Sequence, residues 1–308
     1  MDTKHRKILI LGVTASGKGA LAFELARMLG GEIISVDSMK VYRRMDIGTA
    51  KPSPERRKQI PYHLIDVVEP SESFSVDQFL DRAHQAIGVI TAAGKPVIAV
   101  GGTAMYIKAL LYGIFEGPGG DAALRGRLRQ EIEQRGLEAL YQELAAIDPA
   151  AAGRIHSRDQ KRIIRALEVY RLTGKPISAF QQQWTRQEPC GWTVIGLRRP
   201  KELESRRINQ RVRKMLEDGF REEVRGLLAE PQPLSPQARS AIGYAEMIDC
   251  FEGKRTWEQT VEQIKINTRR LAKAQRTWFK TFAGVRWIEI GPDEDLPQVL
   301  ERCLHLLE

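Results

Sequence analysis

The chain has few cysteines and no long apolar run. Its three cysteines, Cys190, Cys250 and Cys303, are an odd number spaced far apart. This pattern suits neither a disulfide framework nor a zinc cluster, and it favours the reducing cytoplasm. No apolar stretch approaches the roughly 20 residues that a membrane-spanning helix requires. We therefore expect a cytoplasmic protein that makes no membrane contact.

The overall composition is that of an ordinary globular protein. Hydrophobic residues make up 42% and charged residues 28% of the 308 positions, which excludes a disordered or fibrous chain. A single core has nearly reached its practical size limit at this length. We expect one large domain with a sizeable insertion, or two domains that share a cleft.

Acidic residues are scarce in three segments of the chain. The net charge is +9, yet segments 154–175, 198–214 and 265–280 together carry an excess of 17 positive charges, so the remainder is net negative. Such one-sided segments suggest a polyanionic partner larger than a metabolite. The alternative is that each segment is the solvated face of a helix.

Short apolar runs alternate with helix-length segments. This alternation predicts an α/β fold, a P-loop NTPase-like parallel sheet with flanking helices. The pattern is helical between Gly113 and Gln187, which predicts an inserted helical domain over 120–189 and a core formed by 1–119 and 190–308. The expected strands lie at 8–11, 32–36, 63–68, 96–100, 193–197 and 285–290, and the clearest crossover helices at 20–29 and 76–92.

A glycine-rich segment follows the first predicted strand and precedes a helix. Backbone N–H groups in this setting cradle phosphate oxygens, and Lys18 can reach a bridging or terminal oxygen. Gly19 follows, where Ser or Thr usually supplies a hydroxyl to Mg²⁺, and this weakens a prediction of ATP hydrolysis. The predicted phosphate loop consists of Gly12, Val13, Thr14, Ala15, Ser16, Gly17, Lys18 and Gly19.

Polar residues also follow two other predicted strands. Asp37 comes directly after a buried strand, at the edge where open α/β sheets bind ligands. It could bind Mg²⁺, act as a general base, or only cap a following helix. Gly101 and Gly102 permit a close backbone approach, and the hydroxyl of Thr103 is expected to face the same crevice.

These segments resemble successive blocks of the tRNA dimethylallyltransferase family. The resemblance continues through later segments in the same order, from about residue 8 to 282. The matching blocks are 12–18, 32–52, 61–66, 101–103, 148–149, 162–170, 173–176, 241–244 and 275–279.

The resemblance implies a reaction and a set of site residues. In this family the exocyclic amine of a flipped adenine attacks C1 of dimethylallyl diphosphate. The resemblance implies Asp37 as the base, Thr103 as its polar neighbour, and Lys18 and Arg239 at the diphosphate. It implies Mg²⁺ as cofactor without assigning its ligands. The expected enzyme is a monomer that modifies adenosine 37, beside the anticodon, in tRNAs that read U-initial codons.

The resemblance also implies contacts with the anticodon stem-loop of tRNA. They involve the segment around Asp37 and a segment of the helical insertion, within which Lys161, Arg162 and Arg165 are the expected exposed side chains. The tRNA-contacting residues so implied are Asp37, Ser38, Met39, Lys40, Thr103, Arg125, Gln160, Lys161, Arg162, Ile163 and Ile164.

Three other functions remain open at this point. A small-molecule P-loop kinase would need a hydroxyl on Mg²⁺, which Gly19 lacks. A non-catalytic nucleic-acid-binding module would leave Asp37 and Lys18 without a role. A transferase acting on free adenine nucleotides would not need the helical insertion or the clustered positive charge.

Overall fold

The computed structural model describes residues 6–113, 117–180 and 191–308, so Cys190 lies outside the described residues. The chain divides into two compact units. The first comprises Met1–Leu111 and Glu188–Glu308, and the second comprises Tyr112–Gln187. We call them the sheet unit and the helical unit.

The sheet unit is built on six parallel strands. Their order is β3-β2-β4-β1-β5-β6, so the predicted parallel sheet with flanking helices is confirmed. The strands are β1 Lys7–Gly12, β2 Glu32–Val36, β3 Tyr62–His63, β4 Val97–Gly101, β5 Trp192–Arg198 and β6 Arg286–Glu289.

Fifteen helices lie within the described residues, and none of them combines the length and the apolar character that a bilayer crossing demands. Helices α5 to α9 form the helical unit. The helices are α1 Lys18–Leu29, α2 Pro54–Gln59, α3 Val76–Ala92, α4 Ala104–Tyr112, α5 Ala122–Arg135, α6 Leu137–Ile147, α7 Pro149–Ala152, α8 Gln160–Thr173, α9 Ile177–Phe180, α10 Lys201–Glu217, α11 Phe220–Leu228, α12 Pro236–Arg239, α13 Tyr244–Phe251, α14 Trp257–Phe279 and α15 Leu296–His305.

The central strands are buried on both faces. Strands β1, β2 and β4 are almost continuously buried, because parallel sheets carry helices on each side. The carboxyl ends of β2 and β4 meet unusually closely, since a Cβ on Gly101 would lie 1.9 Å from the carbonyl oxygen of Val36. Only glycine fits there, and this close approach brings the segments that follow the two strands together.

The third strand is shorter than predicted. The apolar pattern predicts a strand over 63–68, but β3 ends at His63. Leu64 and Asp66 have φ angles of 61° and 57°, in the left-handed region that interrupts a strand. The turn directs the Asp66 carboxylate onto Lys51 and Arg57, both at 2.5 Å.

Each unit has its own apolar core. In the sheet unit, one cluster packs α1 and α15 against the sheet, with Leu21, Leu25 and Ile195 fully buried. In the helical unit, the core includes Leu128 on α5 and Leu167 on α8. These cores fix the backbone segments that carry the polar residues described next.

Candidate active site

A cavity of about 980 Å³ lies at the carboxyl ends of β1, β2 and β4. The segments after these three strands line it together with α10 and α14. One carboxylate, Asp37, and six basic side chains are among its lining residues. The basic residues are Lys18, Lys40, Lys51, Arg56, Arg207 and Arg211.

The predicted phosphate loop connects β1 to α1. Ala15 and Gly17 have positive φ angles of 61° and 100°, which turn the chain sharply before the first helical residue, Lys18. The Lys18 Nζ donates to the carbonyl oxygen of Val13 at 3.2 Å. This conformation places successive backbone N–H groups and a helix N-terminus beside the cavity, which is a favourable setting for a phosphate.

Three arginines donate hydrogen bonds to oxygen atoms of the phosphate loop. The Arg199 Nε donates to the Ser16 carbonyl oxygen at 3.1 Å, and the Arg207 Nε donates to that of Ala15 at 2.8 Å. Arg211 Nη1 donates to Thr14 Oγ1 at 3.0 Å. Sequence reasoning did not place any of these arginines at the loop. The signal in the sequence is the basic segment 198–214, which indicates a polyanionic partner but does not show that its arginines contact this loop.

Several cationic side chains lie close to the phosphate loop. Burial, together with the charges of Lys40 and Arg211, lowers the pKa of Lys18 to about 7, and Asp37 opposes this shift. Burial also lowers the pKa of Lys40 and of the Arg211 guanidinium, in both cases against the opposing charge of Asp37. A single carboxylate cannot balance these cations, so the cavity favours a bound polyanion.

Asp37 and Thr103 lie on adjoining turns. Asp37 Oδ1 accepts from the backbone N–H groups of Met39 at 2.9 Å and Lys40 at 3.3 Å, so it closes a turn rather than capping a helix. Thr103 Oγ1 accepts from the Ser38 N–H at 3.0 Å. The side chains of Asp37, Ser38, Met39, Lys40 and Thr103 all line the cavity.

The cavity has an apolar side as well as a charged one. Along α14, the lining residues Ile264, Thr268, Leu271, Gln275 and Trp278 recur at helical spacing on one face. Val212 and Met215 on α10 and Met105 on α4 extend this wall. A ligand with a phosphate end and a hydrocarbon end would find a matching environment for each.

Arg239 lies elsewhere than the sequence suggested. It was expected at the diphosphate, but it ends α12 and does not line the cavity. Its Nη2 donates to Glu252 Oε1 at 2.5 Å in an exposed ion pair. The three residues that follow, Ser240, Ala241 and Ile242, are the ones that reach the cavity. Arg207 and Arg211 line the cavity and donate to the phosphate loop instead.

The helical unit exposes part of the predicted tRNA-binding segment. Gln160, Lys161 and Arg162 are exposed in the first turn of α8. Ile163 and Ile164, in the same predicted segment, are buried in the core, which leaves Gln160, Lys161 and Arg162 as its exposed side chains. Their burial follows from the helical period of α8, which turns these two positions toward α5 and α6.

Two other arginines of the helical unit are held by a buried carboxylate. Arg125 Nε lies 2.8 Å from Glu168 Oε1, and Arg165 Nη1 lies 2.6 Å from Glu168 Oε2. Arg165 Nη2 also donates to the carbonyl oxygen of Pro118 at 2.7 Å. These contacts give both side chains a structural role within the unit.

The described residues contain no group of three or more histidine, cysteine, aspartate or glutamate side chains arranged around a common point. Within the loop, the Ser16 hydroxyl is buried and accepts from the Lys18 N–H at 3.4 Å. Among the lining residues, Asp37 carries a carboxylate and the adjacent Ser38 a hydroxyl, so this pair offers oxygen ligands for a cation.

A family model and two curated relatives match most of the chain. The model of the IPP transferase family matches residues 40–282. The chain is similar to the tRNA dimethylallyltransferase of Geobacter metallireducens, with 46% identity over 94% of each chain. It is similar to that of Geobacillus thermodenitrificans, with 44% identity over 97% of this chain and 95% of the relative.

Two solved structures share the fold. The full-length tRNA isopentenylpyrophosphate transferase of Bacillus halodurans has a TM-score of 0.71 and 38% identity, over 98% of this chain and 97% of that one. A eukaryotic dimethylallyltransferase acting on tRNA has a TM-score of 0.77 and 28% identity, over 92% of this chain and 74% of that one.

Proposed function

The chain belongs to the IPP transferase family, and we propose that it transfers a dimethylallyl group from dimethylallyl diphosphate to N6 of adenosine 37 in tRNAs that read U-initial codons, with release of diphosphate. In general terms it is a tRNA dimethylallyltransferase, a prenyltransferase that modifies tRNA. The choice of nucleotide, the tRNA set and the roles of individual residues are the proposed part.

One observation carries the proposal, namely that a single carboxylate faces an excess of cations across one cavity. Lys18, Lys40 and Arg211 surround the phosphate loop, and Asp37 is the acidic member of the lining. The cations suit a diphosphate leaving group. The carboxylate suits an amine that must lose a proton.

The reaction balances with these groups. The N6 lone pair of adenine forms a bond to C1 of the dimethylallyl group, and the C1–O bond breaks with its electron pair on the diphosphate. Asp37 takes the proton that N6 loses. Oδ1 is held by two backbone N–H groups, so the carboxylate is oriented before the substrate arrives. Proton transfer to a positioned base contributes typically 10²–10⁴-fold to such a rate.

The leaving group carries the developing negative charge. Backbone N–H groups of the phosphate loop, Lys18 and Arg211 would stabilise it, and they are already in place in the folded protein. Arg207 supports the loop through Ala15 and lines the cavity at the same time. The hydrocarbon end would lie against the apolar wall of α10 and α14.

The lining residues also fit a magnesium ion. Mg²⁺ in proteins usually keeps several waters and needs only one or two carboxylates besides substrate phosphates. Ser38 is the side chain that would hold it beside water and the substrate phosphates, since Gly19 has no hydroxyl, Ser16 is buried and Asp37 is assigned to the proton. Bound there, Mg²⁺ would neutralise part of the diphosphate charge.

The tRNA must present an unstacked base. Extruding a nucleotide costs a few kcal/mol, which phosphate contacts and stacking repay. We assign phosphate contacts to Lys161 and Arg162 on α8, with Gln160 beside them, and base contacts to the segment from Ser38 to Lys40. We further propose that the enzyme works in the cytoplasm as a monomer.

The test is mass spectrometry of tRNA nucleosides. Pure protein is incubated with dimethylallyl diphosphate, Mg²⁺ and an unmodified tRNA that reads a U-initial codon, beside the same tRNA with guanosine at position 37. We expect N6-dimethylallyladenosine in the first tRNA and none at position 37 of the second. Modification of free AMP alone would instead establish a transferase that acts on nucleotides.

A further inference from the structure

We infer that Gln275 is a positioning residue whose side-chain amide holds the phosphate loop and the Thr103 turn in a fixed relation. The inference rests on the proposed function, because its purpose is to align the diphosphate ester with the attacking amine. Gln275 lies in the last two turns of α14, is buried, and lines the cavity.

Both ends of the amide are engaged across the cavity floor. Gln275 Oε1 accepts from the backbone N–H of Thr14 at 2.8 Å. Gln275 Nε2 donates to the carbonyl oxygen of Gly102 at 2.8 Å. A backbone N–H only donates and a carbonyl only accepts, so these partners fix the orientation of the amide. A leucine can make neither bond.

The bridge begins where the sheet ends. The ladder between β1 and β4 pairs Leu11 with Gly101 and goes no further. The phosphate loop continues from one strand, and Gly102 and Thr103 continue from the other. Gln275 therefore links the two segments just beyond the last strand pair.

The helix that carries Gln275 is itself anchored. The next residue, Arg276, forms an ion pair with Glu204, a buried carboxylate on α10. The same α10 carries Arg207 and Arg211, which contact the phosphate loop from its other side. Helix α14 therefore contacts the phosphate loop directly through Gln275, and it is also connected to the loop through α10.

This geometry has a direct catalytic consequence. The phosphate loop sets the position of C1, and the turn held by Thr103 sets the position of the base that receives the N6 proton. A change in the distance between them misaligns attack without removing any group that binds substrate. Misplacement by about 1 Å can cost about 10²-fold in rate.

The first test replaces Gln275 with Leu, which keeps the bulk of the side chain and loses both hydrogen bonds. We expect the single-turnover rate to fall by about 10²-fold while the KM for tRNA stays near that of the parent. A side chain that only fills space would leave Gln275→Leu as fast as the parent, and that result overturns the inference. Gln263→Leu is the control, since this glutamine lies on the same helix and donates to Asn267 instead.

The second test breaks the bridge from its other end. A Cβ on Gly102 would lie 2.5 Å from Gln275 Nε2 and no closer than 3.6 Å to the carbonyl oxygen of Gly12. Gly102→Ala should therefore act by displacing the amide. We expect a rate loss similar to that of Gln275→Ala, and no further loss in the double variant. Independent losses that multiply in the double variant would refute the bridge.

The outcome also separates this inference from the proposed function. If the parent protein modifies tRNA and the Gln275 variants match it, only the positioning role fails. If the parent transfers no dimethylallyl group to tRNA, the proposed function fails first. Thermal unfolding of each variant, including Gln275→Ala, shows whether a slow variant is folded, and Gly102→Ala tests the bridge with Gln275 intact.

Discussion

Three arginines of the helical unit and three arginines beside the phosphate loop of the sheet unit differ in the groups that they contact. In the helical unit, Arg125 and Arg165 meet Glu168, and Arg171 meets Glu131 at 2.5 Å and Glu143 at 2.9 Å. In the sheet unit, Arg199, Arg207 and Arg211 form no ion pair with a carboxylate of the described chain, and they donate to the phosphate loop instead.

The two groups of arginines differ in which negative charge neutralises them. A buried carboxylate with two arginine partners is satisfied within the protein, so the loss of either partner would destabilise the fold. Burial of cations without such a partner carries an electrostatic cost, and burial accordingly lowers the pKa values of Lys18, Lys40 and Arg211. A bound diphosphate would remove that cost. We therefore assign the paired arginines to stability, and we propose a role in ligand binding for the others.

The largest expected effect concerns the carboxylate opposite these cations. Asp37→Asn keeps the turn, because the amide oxygen can still accept from Met39 and Lys40, but it removes the proton acceptor. Turnover should fall by roughly 10²–10⁴ with little change in tRNA affinity. Rates and binding are compared with those of Asp77→Asn on α3, an exposed carboxylate. A parallel collapse of affinity would show that Asp37 mainly positions the base or a metal.

The next prediction compares Arg211, which contacts the phosphate loop, with Arg165, which is paired with Glu168. Arg211→Met should lower kcat/KM for dimethylallyl diphosphate by about 10²-fold and leave the unfolding free energy unchanged or higher. Arg165→Met should cost about 1–3 kcal/mol of stability, because Glu168 loses a partner, and should affect kcat/KM for dimethylallyl diphosphate much less. Denaturant melts and steady-state kinetics on both variants provide the measurement. The comparison fails if Arg211→Met is the less stable of the two.

The salt dependence of tRNA binding sharpens the comparison within α8. Lys161 and Arg162 are exposed, whereas Arg165 is held by Glu168. Replacing the first two with Ala should reduce the log–log salt slope of binding by about 1.5 units. Arg27→Ala on α1 is the surface control. An unchanged slope would mean that this turn of α8 is only solvated.

A smaller effect should appear in proton uptake. The pKa of Lys18 is lowered to about 7, so above that pH the empty site holds a largely neutral amine. A bound polyanion raises the pKa again, so near pH 8 binding should take up close to one proton, and affinity should fall as pH rises above 7. Calorimetry with inorganic diphosphate in two buffers measures this. Lys18→Arg stays charged and should lack the uptake, whereas equal proton counts would contradict the assignment.

The smallest effect is expected at Gly19. A Cβ there meets nothing within 4 Å, so Ser fits without rearrangement. Gly19→Ser should lower the Mg²⁺ concentration at half-maximal rate by restoring a hydroxyl ligand, and stabilise α1 by up to about 1 kcal/mol. Gly88→Ser, at an open position on α3, is the control for the effect of a new hydroxyl. An unchanged or higher Mg²⁺ requirement would place the metal elsewhere.

Local patterns in the sequence were sufficient for the phosphate loop and for the parallel sheet. The residues of the loop are contiguous in the sequence, and the predicted strand before them and helix after them identify the pattern as a phosphate loop. The common location of Asp37 and Thr103 could also be predicted from the sequence, because residues that follow parallel strands share one edge of the sheet. Strand β3 was overestimated because the left-handed residues that end it, Leu64 and Asp66, are not glycines.

The amino-acid sequence by itself determined the order of strands and helices, the phosphate loop, and the excess of positive charge, since each depends on neighbouring residues. Only the tertiary structure decided which charged side chains line the cavity and contact the loop. Arg211 and Gln275 lie 197 and 261 residues from Thr14, which they both contact. Arg239, which the family resemblance implied at the diphosphate, forms an ion pair with Glu252 instead. Contacts over such separations depend on how helices pack against the sheet, and no local pattern encodes that packing.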